Sequence, residues 1–495
     1  MLNAFPILIR RTISILYETV RIVYSGKRRP ADPLGEQKMI ATINPSNGLI
    51  EAEFEAHSPA QVEERISSAY TAAQTLRSTT FSQRSTWLNI AADLLLADID
   101  KLSRLITIEM GKPILQSRAE VEKCVKSMRY YAKRAEEFLT EAPLLTPSDV
   151  GASRAWTKYE PLGVVLAVMP WNYPLWQVMR FAAPALMAGN AGLLKHASNV
   201  PQSALYLEDL FLRAGFPLGS FNSLLISGRE VEAVLRDSRI KAVTLTGSEP
   251  AGRSVAAIAG DVIKKSVLEL GGSDPFIVMP SANLELAAEI AVRARINNNG
   301  QSCIAGKRFI IHEQVFDEFL ALFRSNMAAL KVGDPLDETT EVGPLATAGG
   351  LEELSEIVDD ARSQGATIVL GGTRLDRPGF FYEPTIVTDI TSEMRIMAEE
   401  TFGPVASVYK ANSPEHACEI ANQTRFGLSS AVWSQDESEQ EWFISALDAG
   451  AVFVNGMTVS YSELPFGGIK ASGFGRELAD IGIREFCNLK TVWKA

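Results

Sequence analysis

Apolar residues recur three and four positions apart between residues 59 and 136, which predicts a helical region. The pattern favours four amphipathic helices, over residues 61–73, 87–98, 101–109 and 117–136. A Gly-Lys-Pro segment at residues 111–113 separates the last two of these helices.

From Leu162 the pattern changes to short apolar strands that alternate with helices. Strands are predicted over residues 164–168, 192–195, 223–227, 242–246 and 266–270. Such alternation is typical of a doubly wound parallel sheet. A second alternating region begins near Pro275, with strands over residues 309–311, 367–370, 405–409 and 451–454. The sequence therefore predicts an α/β protein with two α/β domains and a ligand site between them.

One cysteine follows an unusual break in a predicted helix. The apolar run from Leu284 to Ile296 ends in three asparagines and a glycine, and Cys303 comes three residues later. We expect an irregular turn there, in which the backbone N–H of Cys303 is not used inside a helix. Such a turn presents a nucleophile. A free cysteine more often fills a core, which is what we expect of Cys124, Cys418 and Cys487.

Two further polar residues are predicted at strand ends. Glu269 closes an apolar run before two glycines, and a buried carboxyl group with a raised pKa can act as a general base. A structural glutamate with satisfied hydrogen bonds is the alternative. Asn172, in the segment Pro170–Pro174, follows the strand at 164–168. Ligands bind at the carboxyl ends of strands in open α/β sheets, so both residues are candidates for a site.

Composition and charge exclude several classes of protein. The 495 residues carry a net charge of −11, which argues against binding nucleic acid. Four scattered cysteines do not suggest a disulfide framework, and four histidines leave little material for a metal site, so we expect no metal. The absence of a disulfide framework favours the cytoplasm, which is reducing.

Residues 1–38 differ from the rest, because they are basic and amphipathic. Their apolar runs are broken by charges, so we expect no stable membrane insertion. The segment is predicted to lie outside the fold, as an over-extended start before Met39. A transit peptide or a membrane-surface helix is the alternative.

These motifs together resemble the aldehyde dehydrogenase superfamily, from about Thr42 to the C-terminus. The resemblance rests on the Cys303 loop and on five other segments in the family's order: Pro170-Trp171-Asn172, Thr246-Gly247-Ser248, Glu269-Leu270-Gly271-Gly272, Glu400-Thr401-Phe402-Gly403-Pro404 and Pro465-Phe466-Gly467-Gly468. Residues 195–199 and 269–279 look most like the bacterial NADP-dependent succinate-semialdehyde dehydrogenases. The resemblance implies that Cys303 attacks the aldehyde, that Asn172 and the Cys303 N–H hold the alkoxide, and that Glu269 activates water.

The resemblance also implies a dinucleotide site. The usual Gly-x-Gly-x-x-Gly is absent, and residues 246–252 stand in its place after a strand. Many relatives that prefer NAD carry a glutamate three positions after Lys195, where this chain has Ser198, so NADP is expected, with NAD at lower preference. The expected cofactor residues are Trp171, Asn172, Lys195, His196, Ala197, Ser198, Gly247, Ser248, Leu270, Glu400 and Phe402.

By resemblance, Arg180 binds a substrate carboxylate and Ser460 donates a hydrogen bond to the same carboxylate, while Trp176 and Phe466 line the aldehyde channel. Some relatives carry another arginine where this chain has Asn297, so glutarate semialdehyde or an aliphatic aldehyde remains an alternative substrate. A dinucleotide-binding protein without catalysis would lack the nucleophile or the base. A thiol hydrolase would need His196 or His312 to orient the cysteine.

The predicted organisation has four parts. They are a basic extension (1–38), a dinucleotide-binding domain (39–142 and 160–270), a catalytic domain (271–475) and small β segments for oligomerisation (143–159 and 476–495). We expect a homodimer or homotetramer with a small-molecule aldehyde as its substrate.

Overall fold

The computed structural model describes residues 22–23 and 40–495. Fifteen α-helices lie within this described part of the chain. In order they are α1 Pro59–Arg77, α2 Phe81–Ala97, α3 Ile99–Met110, α4 Ile114–Phe138, α5 Trp176–Ala188, α6 Pro201–Arg213, α7 Val231–Arg236, α8 Glu249–Asp261, α9 Leu284–Ile296, α10 Phe316–Ala328, α11 Ala348–Ser363, α12 Arg395–Ala398, α13 Pro414–Asn422, α14 Glu437–Ala446 and α15 Ala479–Arg484.

Nineteen strands form four sheets in the same residues. In order they are β1 Ile22–Val23, β2 Ile40–Asn44, β3 Leu49–Phe54, β4 Ala142–Pro143, β5 Arg154–Pro161, β6 Val164–Met169, β7 Ala191–His196, β8 Phe221–Ser223, β9 Ile240–Thr246, β10 Lys265–Glu269, β11 Asp274–Val278, β12 Gly306–His312, β13 Thr367–Leu370, β14 Thr385–Thr388, β15 Val405–Ala411, β16 Ser430–Trp433, β17 Val452–Val454, β18 Gly473–Phe474 and β19 Cys487–Lys494.

The N-terminal helices begin at clear sequence signals. Ser58 and Gln61 form a reciprocal capping box at the start of α1, with Pro59 in the first turn. Thr80 and Gln83 cap α2 in the same way. These caps satisfy backbone N–H groups that would otherwise lack partners, so the helix starts are set locally.

The first large sheet has the strand order β18-β10-β9-β6-β7-β8. Its strands are parallel except for β18, which pairs antiparallel with the edge of β10. Met169 pairs with His196, and Thr246 pairs with Glu269. The carboxyl ends of β6, β7, β9 and β10 therefore lie at one edge of the sheet, which is where ligands bind in this class of fold.

The second large sheet has the order β13-β14-β15-β12-β11-β16-β17 and is parallel except for the β13–β14 pair. The loop from α9 to β12 carries Cys303. The mixed α/β fold with parallel sheets that we expected is therefore confirmed.

Two small sheets complete the fold. In the first, β19 pairs antiparallel with β5 over eight residues, and β4 pairs with the other edge of β5. In the second, β3 pairs with β2 and with Ile22–Val23. Two residues of the predicted extension thus join a sheet, and the rest of residues 1–38 lies outside the described residues. The predicted domain boundaries stay predictions.

One strand prediction was wrong in its limits. The strand expected over residues 223–227 covers Phe221–Ser223. The chain then leaves the sheet, because the backbone N–H of Leu225 donates to Nδ1 of His57 and its carbonyl accepts the His57 N–H. Leu224 and Ile226 stay buried, which is why the apolar run looked like a longer strand.

Candidate active site

The loop before Cys303 has an uncommon backbone. Asn298, Asn299 and Gly300 have φ angles of 59°, 57° and 75°, in the left-handed region. Asparagine tolerates this region better than most residues, and glycine tolerates it best. A Cβ on Gly300 would also overlap the carbonyl oxygen of Gly403. The three residues therefore turn the chain sharply out of α9.

The asparagine side chains hold this turn in place. Asn298 Nδ2 donates to the carbonyl oxygens of Asn172 and Gln301, both at 2.8 Å. Asn299 bonds to the backbone of three residues outside the loop, Gly111, Gly343 and Pro344. Sequence reasoning treated the asparagines only as a helix break and missed this anchoring role, although their preference for left-handed turns was a signal.

Cys303 lies on the predicted turn and is partly buried. In the described chain its backbone N–H makes no hydrogen bond, while its carbonyl accepts from Lys307 Nζ at 2.8 Å. Burial raises the pKa of the thiol to about 12, against the lowering effects of Arg180 and then Lys307. A thiolate at neutral pH therefore needs a base or additional positive charge.

Asn172 lies beside this loop and is 4% exposed. Its Nδ2 donates to the carbonyl of Gln301 at 3.0 Å, which uses one of the two N–H groups of the amide. The second N–H of Asn172 and the N–H of Cys303 are thus two donors near the thiol. This is the composition of an oxyanion hole.

Glu269 ends β10 and is 1% exposed, and neither carboxyl oxygen has a hydrogen-bond partner within the described chain. Burial raises its pKa well above the usual value, and the nearby carboxylate of Glu477 raises it further. Arg180 and Arg476 oppose these effects. The carbonyl of Cys303 packs against Gly272, three residues beyond Glu269. A buried carboxyl group with a raised pKa near the nucleophile suits a general base.

The charge of Arg180 acts on Cys303 and Glu269. Arg180 is 2% exposed on α5, and its Nε lies 2.7 Å from Oε2 of Glu477. The pair is close but does not meet the angles of a hydrogen bond. Its guanidinium carbon lies 4.6 Å from the ring centroid of Phe466, and the backbones of Phe466 and Glu477 bond to each other. The burial of Glu477 was not predicted from the sequence, because Glu477 follows a glycine-rich stretch and resembles a loop residue.

The other expected substrate residues lie together. Trp176 Nε1 donates to Oγ of Ser460 at 3.0 Å, and both residues are buried. Trp176 and Arg180 lie in the first two turns of α5.

Lys195 and Ser198 lie at the end of β7 and beyond it. Both are half-buried, and burial lowers the pKa of Lys195. No carboxylate in the described chain forms an ion pair with Lys195. Ala197 and Ser198 line a small pocket whose apolar wall includes Pro201 and Ile226. An ammonium and a hydroxyl are both groups that can hold a phosphate.

The segment from Gly247 leads into α8. Ser248 is exposed and is the N-cap of the helix, but its side chain does not cap the helix. Backbone N–H groups in the first turn are therefore available to a pyrophosphate. Leu270 packs where Gly252 has no Cβ, so the helix approaches β10 closely.

The residues expected around the nicotinamide lie in loops next to the two large sheets, Trp171 after β6 and Glu400 and Phe402 before β15. The rings of Trp171 and Phe402 meet edge to face, with centroids 5.7 Å apart. Oε1 of Glu400 accepts from Lys307 Nζ at 2.7 Å, and its other oxygen packs against Gly271. Lys307 thus links the Cys303 loop to Glu400, and its position four residues after the cysteine was a signal that sequence reasoning did not use.

His196 is placed differently from the other expected cofactor residues. Its ring is 5% exposed and bonds only to backbone within the described chain: Nε2 to the Pro174 carbonyl, and Nδ1 near the Met169 carbonyl and the Ala197 N–H. Burial lowers its pKa to about 4, so the ring is neutral. With both nitrogens engaged, His196 has no free position from which to orient Cys303, which weakens the thiol hydrolase alternative.

Neither a metal site nor a membrane span is evident in the described residues. They contain no group of three or more histidine, cysteine, aspartate or glutamate side chains placed to hold a metal ion. They also contain no helix that is long and apolar enough to cross a membrane.

Comparison with known proteins shows the family of this chain. The chain belongs to the aldehyde dehydrogenase family, whose sequence pattern matches residues 34–492. It is 59% identical over 455 residues to a succinate-semialdehyde dehydrogenase [NADP(+)] of Mycobacterium avium (strain 104), covering 92% of this chain and 96% of that protein. It is 58% identical over 456 residues to succinate-semialdehyde dehydrogenase [NADP(+)] 1 of Mycobacterium tuberculosis (strain ATCC 25618 / H37Rv), covering 92% and 100%.

Solved structures show the same similarity. The crystal structure of succinic semialdehyde dehydrogenase from Streptococcus pyogenes in complex with NADP+ matches with a TM-score of 0.89 and 36% identity. That match covers 92% of this chain and 99% of the other. The resemblance stated from the motifs is therefore confirmed at the level of the family.

Proposed function

We propose that this enzyme oxidises succinate semialdehyde to succinate with NADP, through a covalent intermediate on Cys303. The observation that carries the proposal is Arg180. It is a buried guanidinium whose charge acts on both Cys303 and Glu269. Its Nε lies at ion-pair distance from Glu477, and its Nη2 has no hydrogen-bond partner in the described chain. An aldehyde with a distal carboxylate would pair with it. The names of the mycobacterial and streptococcal relatives support the same substrate.

The chain's own residues account for each chemical step. The Cys303 sulfur adds to the carbonyl carbon, and the proton of the thiol passes to a base, for which Glu269 is the buried candidate. The alkoxide of the thiohemiacetal accepts from the Asn172 amide and the Cys303 N–H. One such donor is typically worth about 3 kcal/mol in the transition state. When bound, the nicotinamide accepts the hydride. Glu269 first releases the thiol proton to solvent, and as a carboxylate it then takes a proton from the water that hydrolyses the thioester.

NADP fits the residues at the end of β7. Lys195 is a half-buried cation with no ion pair in the described chain, and a ribose 2′-phosphate would supply its counter-charge. The unused N–H groups at the start of α8 suit the pyrophosphate. Trp171, Glu400 and Phe402 would then lie at the nicotinamide end.

We further propose that the β19-β5-β4 sheet forms an interface between copies of the chain. Leu145, Leu489 and Trp493 on this sheet and its connections are 93%, 54% and 51% exposed. Large exposed apolar side chains close together mark an interaction surface. This exposed apolar surface supports a homodimer or homotetramer. Light scattering of the purified protein measures which one forms. The thiol nucleophile suits a reducing compartment such as the cytoplasm.

Steady-state kinetics test the main proposal. The purified full-length enzyme is assayed with succinate semialdehyde, glutarate semialdehyde and butanal, each with NADP and with NAD. The highest kcat/KM is expected for succinate semialdehyde with NADP. A higher kcat/KM for butanal would overturn the substrate assignment, and a higher value with NAD would overturn the cofactor assignment.

A further inference from the structure

A lysine outside every sequence motif reaches the substrate side of the site. Lys123 lies on α4, and its Nζ is 2.9 Å from Oγ of Ser460 and 4.3 Å from the centroid of the Trp176 ring. Both neighbours are expected substrate residues, Ser460 as a donor to the carboxylate and Trp176 as part of the aldehyde channel. Mid-helix lysines usually extend into solvent, so this position could not be predicted from the sequence.

Two cations close to Lys123 have a carboxylate partner, and Lys123 does not. Lys112 Nζ lies 2.5 Å from Oε2 of Glu120, whose other oxygen accepts backbone N–H groups at the start of α5. Arg180 lies at ion-pair distance from Glu477. Lys123 has no ion pair with any described residue. Lys123 is thus the member of this group of three cations that has no carboxylate at ion-pair distance, and a negative group beside it would be favoured.

Lys123 also determines what the Ser460 hydroxyl can do. A hydroxyl has two acceptor lone pairs and one O–H donor. Ser460 Oγ accepts from Lys123 Nζ and from Trp176 Nε1, which uses both lone pairs. Its own hydrogen is therefore left to donate, and a carboxylate is the natural acceptor.

The titration of Lys123 is consistent with this environment. Burial, and then the positive charge of Arg180, lower its pKa to about 8. Cys124 and Glu120 oppose this shift, and Lys112 adds to it. A carboxylate ligand beside Lys123 would raise this pKa, because a nearby negative charge favours the protonated ammonium.

We propose that Lys123 is a substrate-specificity residue that pairs with the distal carboxylate of the aldehyde and directs the Ser460 hydroxyl toward it. This inference rests on the proposed function, because it assigns a contact to the carboxylate of that substrate. It also accounts for Asn297, which stands where some relatives have a second arginine and which donates to the Tyr173 hydroxyl instead. The second cation for the substrate carboxylate, after Arg180, is then Lys123 on α4.

The test compares Lys123→Gln with Lys123→Arg and with Lys126→Gln, which removes an exposed lysine from the same helix. The measured quantity is kcat/KM for succinate semialdehyde divided by kcat/KM for butanal, which has the same chain length but no carboxylate. We expect Lys123→Gln to lower this ratio roughly tenfold or more, mainly through KM. Lys123→Arg should restore most of it, and Lys126→Gln should leave it within about twofold.

Succinate inhibition adds a readout of binding. The inhibition constant of succinate, competitive with the aldehyde, should rise by a similar factor in Lys123→Gln. If that variant unfolds, Lys123→Met keeps the aliphatic stem over the Trp176 ring and takes its place.

The outcomes separate this inference from the proposed function. A wild-type enzyme without a preference for succinate semialdehyde over butanal would refute the proposed function. A wild-type preference that survives in Lys123→Gln, with an unchanged succinate constant, would overturn only the role of Lys123. Equal losses on both aldehydes would make Lys123 a structural residue and would also overturn the inference.

Discussion

Replacing Glu269 with glutamine should separate the two halves of the reaction. The substitution keeps the shape of the side chain and removes its ability to take a proton. Acylation of Cys303 releases NADPH, whereas hydrolysis of the thioester needs the base. General-base catalysis typically contributes about 10²- to 10⁴-fold, so we expect the steady-state turnover of Glu269→Gln to fall by that factor. Each subunit should still release close to one NADPH in a first burst.

The rate of that burst also reports on the thiol. With a pKa of about 12, Cys303 is ionised to only about one part in 10⁴ at pH 8, compared with roughly a quarter for an unperturbed thiol. If Glu269 takes the proton of the thiol, the burst in Glu269→Gln should slow and should then accelerate about tenfold per pH unit between pH 7 and 9. The wild-type burst should depend less on pH.

Stopped-flow absorbance of NADPH measures both the amplitude and the rate. Cys303→Ala should give no NADPH, and Cys418→Ala, which removes a buried thiol of a separate core cluster, should behave as the wild type. Wild-type turnover without a burst in Glu269→Gln would refute the assignment of Glu269. A burst of unchanged rate at every pH would restrict its role to hydrolysis.

Other substitutions test the remaining parts of the site. Ser198→Glu should repel the 2′-phosphate and reverse the cofactor preference, by roughly 10²-fold in the kcat/KM ratio of NADP to NAD; an unchanged ratio would place the phosphate elsewhere. Arg180→Met should lower kcat/KM for succinate semialdehyde far more than for butanal. It should also destabilise the fold by about 3 kcal/mol in a denaturant titration, because the partner carboxylate stays buried; equal kinetic losses would indicate a structural arginine. Gly300→Ala should lower both the melting temperature and kcat, since the position has a φ of 75° and no room for a Cβ; a stable, active variant would show that the loop can rearrange. Because Lys123 loses its charge as the pH rises through about 8, the kcat/KM ratio of succinate semialdehyde to butanal should fall several-fold between pH 7 and 9, and a flat ratio would argue against a charged Lys123 in binding.

Sequence patterns predicted those features that local physics determines. The limits of α9 agree with the apolar run from Leu284 to Ile296, and the asparagines that follow require a turn. Glu269 could be placed at a strand end because apolar residues precede it and two glycines follow Leu270. In each case the signal lies within about ten residues of the feature. The roles of the site residues stay predictions until they are measured.

Features that depend on packing between distant segments were not predictable in this way. Glu477 lies 297 positions after its ion-pair partner Arg180, and a single carboxylate in a glycine-rich stretch carries no mark of burial. Lys123 contacts Ser460 across 337 positions. His196 belongs to the cofactor motif by resemblance, yet its ring is engaged by backbone carbonyls. The charge balance of the site is therefore a tertiary property, and only the structure makes it visible.

The Glu269–Glu477 pair shows why the working form of this site is costly to the fold. Both carboxyl groups have raised pKa values, first because they are buried, and the charge of Glu477 raises that of Glu269 again. A carboxyl group with a raised pKa stabilises the folded state fully at low pH, and that stability is lost as the pH rises through the raised value. The proposed hydrolysis step, however, needs Glu269 ionised. Catalysis thus operates on the side of the titration where the buried charge costs most, and Arg180, which lowers the pKa of both groups, reduces this cost. In the proposed mechanism, the single guanidinium of Arg180 therefore acts on two carboxylates of the protein and on the carboxylate of the substrate. A substitution of Arg180 should change the stability of the fold and the reactivity of the site at the same time.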